Sequence, residues 1–438
     1  MSETVDGSPA TAQLADALAR AADRFGTPVY VMDMISVAAA ARQVEDAFGS
    51  PWLLHYSLKA NDLPAIAGYL AGRGWGGAVV SAGEWQHARH GGLSNQSVVF
   101  EGIGKTDSQL GYAVAETAAG RPPRWLVVES AEELTCLADF AAGHQLGRSG
   151  RPALDVLLRL NPGVDPETRR EFAVGSQTSK FGMSGAEISA LARRAVADWP
   201  GLTVRGIHVH VGSALTDVGA WALAGVRATT LLEDIARSCP QADTVDYGGG
   251  FPLPGSGRPG PDQFRDALLD ALAAAGLRLP PRPAIEPGRY LVGSAGWLVS
   301  RVLHVRQQPD SAAAEPRVIL DAGMTELMRP ALYGSLHRVH ALRPRGDALR
   351  ATAVDGPVCE MTDSFGTHQL PPLARGDLVA IEQAGAYAAS FTSRYNGRPH
   401  PAEALLWHGG ELELGERPLV RAGYGSAEQR PATEGSLV

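Results

Sequence analysis

Polar and apolar positions follow two different rhythms along this chain. In ATAQLADALARAADRFG, Leu14, Leu18, Ala21 and Phe25 recur at helical spacing, and Gly26 ends the run. TPVYVMD (27–33) then reads as a strand. From there to residue 290, short apolar runs predict strands at 52–59, 76–82, 97–103, 124–130, 155–161, 204–212, 244–250 and 282–288. Alanine-rich amphipathic patterns such as DLPAIAGYLAGRG, SAEELTCLADFAAG and GAEISALARRAVADW fall between them. Eight strands with intervening helices over roughly 250 residues match a (β/α)8 barrel, although an open doubly wound sheet shares the rhythm.

The strand ends separate these alternatives. They carry Lys59, Ser81, Glu101, Glu129, Arg159 with Asn161, His208 with His210, the triplet Gly248, Gly249 and Gly250, and Glu286. A barrel gathers such ends on one rim, where its chemistry sits, whereas an open sheet spreads them along an edge. After residue 290 the grammar changes. WLVSRVLHVRQQ, RVILDAG, LRATAVDG, DLVAIEQAGAY and EALLWHGGELEL are strand-like runs separated by Gly, Pro and Asp turns, which predicts an all-β unit. The expected division is 1–35, an N-terminal helix and strand joining the β-domain; 36–290, the barrel; and 291–438, the C-terminal β-domain.

Composition narrows the class. The 438 residues are 45% hydrophobic and 20% charged, ordinary globular values. A net charge of −8 leaves no basic footprint for nucleic acid. No long uninterrupted apolar run predicts a membrane span, and the polar, acidic start MSETVDGSPATAQ does not read as a signal peptide. Cys136, Cys239 and Cys359 are too dispersed for a disulfide framework or a clustered metal site. The expectation is a cytoplasmic protein with a short disordered N-terminal tail and a frayed last dozen residues.

Four motifs on the predicted rim carry chemistry. Lys59 ends HYSLK, where an ammonium must be ion-paired, bind phosphate or form a Schiff base. GGGFP (248–252) is either a tight turn or a nest of free backbone N–H groups for an anion. In EPGRY (286–290), Glu286 is a general base, the partner of a protonated heterocycle, or half of an interdomain salt bridge; Arg289 is an anion fork. HVHVGS (208–213) places His208 and His210 on one strand face as metal ligands, packed aromatics or acid–base groups. No further convincing ligand set accompanies them, so no metal is expected. Amine, phosphate nest, acid and imidazole together suggest pyridoxal 5'-phosphate.

Eight motifs in order, YSLKAN (56–61), SKFGM (179–183), HVGS (210–213), GGGFP, EPGR, DAGMTELMRPALY (321–333), GPVCEMTD (356–363) and AGAYAASFTSRYN (384–396), resemble the pyridoxal phosphate decarboxylases of the alanine-racemase fold, specifically the diaminopimelate and ornithine decarboxylase group. The resemblance implies fold type III: a (β/α)8 barrel plus a C-terminal β-sandwich or β-barrel-like domain. It implies that Lys59 carries the cofactor, that His210 stacks on its ring, and that Ser213, Gly248, Gly249 and Gly250 hold its phosphate. Glu286 would pair with the ring nitrogen, Arg289 would bind phosphate or a substrate carboxylate, and Tyr387 would close over the cofactor. Arg329, Tyr333 and Glu360 match substrate-binding positions. Cys359 would reprotonate the product and, with Glu360, be donated across a homodimer interface.

This chain departs from that pattern at the rim. The family's run Asp-Val-x-Ser-Gly-Gly-Glu is AVVSAGE here, with Ala78 in place of the acid and Ala82 in place of a glycine. Its His-Gly-Asn-Asn-Lys-Ser is EGIGKT, and its Cys-Glu-Ser is Cys359, Glu360, Met361. These departures favour a specialised decarboxylase, of the kind found in antibiotic biosynthesis, acting on an amino acid or on an acidic aminoacyl group tethered to an acyl carrier protein. The alternatives are meso-diaminopimelate decarboxylation and amino-acid racemisation.

Overall fold

The computed structural model describes residues 12–148, 150–176, 178–306 and 315–418. The expected N-terminal tail and the frayed last dozen residues lie outside them. Helix α1 (Ala12–Phe25) buries Leu18 and Ala21 of the stripe read from the sequence, with Leu14 and Phe25 half-buried. It is followed by β1 (Val29–Asp33) and α2 (Met34–Ala47), the latter capped by the Asp33 carboxylate, which accepts from the Ile35 N–H.

Eight parallel strands then close a barrel: β2 (Leu53–Ser57), β3 (Gly76–Val79), β4 (Val98–Phe100), β5 (Trp125–Val128), β6 (Leu154–Leu160), β7 (Leu202–Val209), β8 (Thr244–Asp246) and β9 (Arg282–Ile285). Closure is made by β2 against β9, with Leu53 opposite Ala284. The strands are nearly continuous apolar runs because helices cover the outside while side chains fill the lumen; β5, WLVV, is buried at every position. Ala78, Val99, Trp125, Val127, Leu157 and Ala284 form one inner cluster.

Helix starts fix the rim. Ser81 and Ser130 accept from the N–H groups of Glu84 and Glu133, whose carboxylates accept in return from Val80 and Glu129 N–H. The Ser-x-x-Glu spacing in SAGE and SAEE thus serves two helix starts, and Ser81 is a cap rather than a reactive rim residue.

The remaining strands are β10 (Gly296–Arg306), β11 (Arg317–Leu320), β12 (Val339–Ala341), β13 (Arg350–Asp355), β14 (Ser364–Leu370), β15 (Leu378–Ile381), β16 (Ala402–Leu406) and β17 (Leu412–Gly415). They form a nine-stranded sheet in the order β14-β13-β11-β10-β1-β16-β17, with β15 pairing β10 and β12. The N-terminal β1 is central to it, antiparallel to β10 and parallel to β16. One core lies between this sheet and α1; another lies around Leu298, Leu320, Val354 and Phe365. The loop after β15 returns to the barrel: the Tyr387 N–H donates to the Ala60 carbonyl at 2.7 Å.

Candidate active site

Lys59 lies in a single 3-10 turn, Leu58–Ala60, just past the end of β2. Its ammonium donates to Glu101 Oε1 at 2.9 Å; the lysine side chain is one-third exposed and the glutamate buried. Glu101 follows β4 directly and points inward, two residues beyond the inward-facing Val99. His208 Nε2, at the end of β7, lies 3.5 Å from Glu101 Oε2 and 3.4 Å from Glu286 Oε2. Three barrel strands therefore deliver two carboxyls and an imidazole to one point beside the amine.

The electrostatics of this group are split. Burial raises Glu286 well above the usual carboxylate range, and the neighbouring Glu101 charge adds to it. Glu101 is held the other way: burial opposes its ionisation, but Lys59, His208 and Arg159 overcome it. Of two acids in contact, Glu286 keeps a proton and Glu101 gives its proton up. Burial likewise opposes the charge on Lys59, yet the Glu101 carboxylate holds its pKa above the ordinary lysine value. Glu101, His208 and Glu286 are also grouped closely enough to resemble a metal ligand set, but the cation beside them is the ammonium of Lys59. His210, the other histidine of the metal reading, is not part of that group.

An anion cradle adjoins them. Gly248 and Gly250 take φ of 68° and 113°, and a Cβ on Gly249 would meet the Glu286 carbonyl at 2.4 Å, so side chains are excluded on conformational and steric grounds. The Gly249 N–H donates to His210 Nδ1 at 3.3 Å, fixing the imidazole against the loop. Ser213 Oγ receives both Nε and Nη2 of Arg289 at 3.2 Å. A pyridoxal phosphate site asks for an amine, backbone donors for the phosphate and a protonated acid for the ring nitrogen. The residues present fit: Glu286 Oε1 is buried without a hydrogen-bond partner, as an acid awaiting a ligand would be.

Beyond the cradle, aromatic rings surround two guanidiniums. Arg289 packs over Tyr387 at 4.7 Å and Phe172 at 5.6 Å; Arg329 packs at 5.8 Å from both Phe172 and Tyr333. Burial and the neighbouring Arg289 lower Arg329 to about 10. Among the described residues, neither arginine has a carboxylate within ion-pair distance. Tyr387 adopts φ of 56°, a left-handed conformation that is unfavourable for a side chain this large. Its N–H bond to Ala60 and its ring contact with Arg289 hold it there.

The structure thus brings Lys59, His210, Ser213, Gly248, Gly249, Gly250, Glu286, Arg289, Arg329, Tyr333 and Tyr387 to one mouth. Cys359 and Glu360 are exposed on the β-unit, where Asn396 Nδ2 donates to Cys359 Sγ at 3.7 Å and the Tyr395 hydroxyl donates to Glu360 at 3.1 Å. The motif reading assigns no role to Glu101 or Phe172 and leaves His208 open as a metal ligand, a packed aromatic or an acid–base group. For Glu101 and His208 the signal was present, since both end predicted strands.

The sequence matches the family described as pyridoxal-dependent decarboxylase, pyridoxal binding domain, over residues 34–293. It is 34% identical over 394 residues to a diaminopimelate decarboxylase of Zymomonas mobilis, covering 88% of this chain and 89% of that protein. It is 35% identical over 405 residues to the diaminopimelate decarboxylase of Deinococcus radiodurans, covering 91% and 94%. The crystal structure of diaminopimelate decarboxylase from Helicobacter pylori complexed with L-lysine superposes with a TM-score of 0.79 at 28% identity, over 89% of this chain and 93% of that one.

Proposed function

The chain belongs to the pyridoxal-dependent decarboxylases, and from that premise we propose that it removes the α-carboxylate of an amino acid bearing a second acidic group, diaminopimelate or a close analogue. It is a carboxy-lyase and its cofactor is pyridoxal phosphate. When bound, the cofactor withdraws electrons from the breaking carbon–carboxylate bond. The chain's residues do the rest. Lys59 is the attachment point, and protonated Glu286 faces the ring nitrogen. His210 lies against the ring, while Gly248, Gly249, Gly250, Ser213 and Arg289 hold the phosphate. Tyr387 covers the mouth. Residues 36–290 form the cofactor unit, and 291–438 supply the lid and the substrate end.

The observation that carries the substrate reading is the second guanidinium. Arg289, bonded to Ser213 beside the glycine loop, is placed for the cofactor phosphate. Arg329, caged by Phe172 and Tyr333 with no acid beside it among the described residues, is left for a second anion. Cys359 and Glu360, exposed on the β-unit, serve the site of a second copy in a homodimer, Cys359 as the proton donor to the product and Glu360 at the distal amine. Among the described residues no helix is long and apolar enough to cross a membrane.

A second reading takes the same acidic end as a thioester on an acyl carrier protein. Met361, 95% exposed beside Cys359 where the family has serine, offers an apolar rim that a free diacid does not need. Carbon dioxide release from diaminopimelate, from free acidic amino acids and from their carrier-bound thioesters decides between the readings. Turnover of free diaminopimelate alone removes the carrier reading; turnover of thioesters alone removes the first.

A further inference from the structure

Resting on the assignment of Lys59 as the cofactor lysine, we propose that Glu101 is the buried counter-ion that holds this amine as its ammonium and thereby sets the pH at which it can take up the cofactor. Lys59 as it stands is an ammonium bonded to Glu101, and an ammonium has no lone pair to offer an aldehyde. That proton must leave before the amine can react, and the groups around it set how tightly it is held.

The groups facing Lys59 come from five elements. They are Glu101 after β4, Glu286 after β9, His210 after β7, Tyr387 from the loop after β15, and Glu84 in the helix after β3. Among the described residues Glu101 alone is hydrogen-bonded to Nζ. Glu286 is already protonated, and Glu84, raised to about 7 mainly by burial, is engaged with the Val80 N–H. His208 Nε2 lies against the second oxygen of Glu101 and one oxygen of Glu286, so the carboxylate that holds Lys59 is flanked on its other side.

Full-length protein freed of cofactor provides the test. Its uptake of pyridoxal phosphate is followed by absorbance as a function of pH, and the labelled residue is located by borohydride reduction and peptide mapping. Glu101 raises the proton affinity of Lys59, so Glu101→Gln lowers the pH midpoint of uptake by about one unit or more, leaving burial to dominate. Glu101→Asp, which withdraws the carboxylate by one methylene, shifts it in the same direction by less, and it keeps the test available should the Gln variant fail to fold. A midpoint unchanged in both variants, with Lys59 still labelled, overturns the proposal. A label found elsewhere in wild type overturns the Lys59 assignment itself, and the role of Glu101 with it.

Discussion

The carboxylate of Asp62, three residues beyond Lys59, is bonded by the guanidinium of Arg417, from the far end of the described chain. Arg417 also holds Glu403 on β16 and donates to Asn61 Oδ1 at 3.1 Å, while His87 Nδ1 lies 2.7 Å from the other oxygen of Asp62. Asn61 in turn donates to the Gly385 carbonyl and accepts at its own carbonyl from the Tyr56 hydroxyl. The turn that presents Lys59 is thereby pinned from behind to the β-unit, so a remote ion pair bears on where the amine points.

Arg417→Met leaves two largely buried carboxylates without their cation, and removing one partner of such a pair costs about 3–5 kcal/mol. Urea unfolding should show that loss at neutral pH. The acid limb follows from Asp62, which burial would raise but which His87 and Arg417 pull down to about 2. A depressed carboxylate contributes stability that is complete above its unfolded value near 4 and is lost as the pH falls toward 2. Wild type should therefore lose stability through that window, and R417M should start lower and lose less across it.

Lys59→Ala removes the one amine bonded within the cluster. The purified variant should lack the absorbance of a covalently bound cofactor and should release no carbon dioxide, and its melting temperature should fall, because buried Glu101 loses its cation. A variant with full activity would sink the assignment.

How far the sequence alone reaches is visible in particular residues. The barrel was legible because each strand is a short apolar run between helical patterns, and β1 and α1 were legible for the same reason. β14 was not: SFGTHQL is mostly polar and partly exposed, and it is held in the sheet by pairing with β13 rather than by an apolar pattern. Lys59, Glu286 and the glycines could be read from position and chemistry. The partnership of Glu101 with His208 could not, because β4 and β7 meet only through closure of the barrel. His55, which shares a strand with the site, instead faces inward, 3.9 Å from Asp246 and edge-on to Trp125.

Arg289 and Arg329 share an aromatic cage but are given different ligands above, and kinetics separates them. Arg329→Ala should raise KM for a diacid substrate by about a hundredfold, some 2–3 kcal/mol for a lost charge-assisted contact, with cofactor affinity unchanged. Arg289→Ala should weaken cofactor binding and destabilise the holoenzyme. Equal effects of both variants on cofactor retention would contradict the division.

Cys359 presents the sharpest question of assembly, since its thiol is exposed and its partners among the described residues, Asn396 and Tyr395, are local. Cys359→Ala should bind cofactor as wild type does, yet turn over far more slowly, because the proton donor is lost while the electron sink remains. If that thiol serves the site of a second copy, the defects of K59A and C359A reside in different halves of one composite site. Half of randomly reassorted dimers are then hybrids in which one of two sites has both residues, so mixing the two inactive proteins should restore about a quarter of wild-type activity. Dilution below the dimer dissociation constant should abolish the recovered activity. No recovery from a mixture shown to exchange subunits would place Cys359 in the site of its own chain, or outside any site.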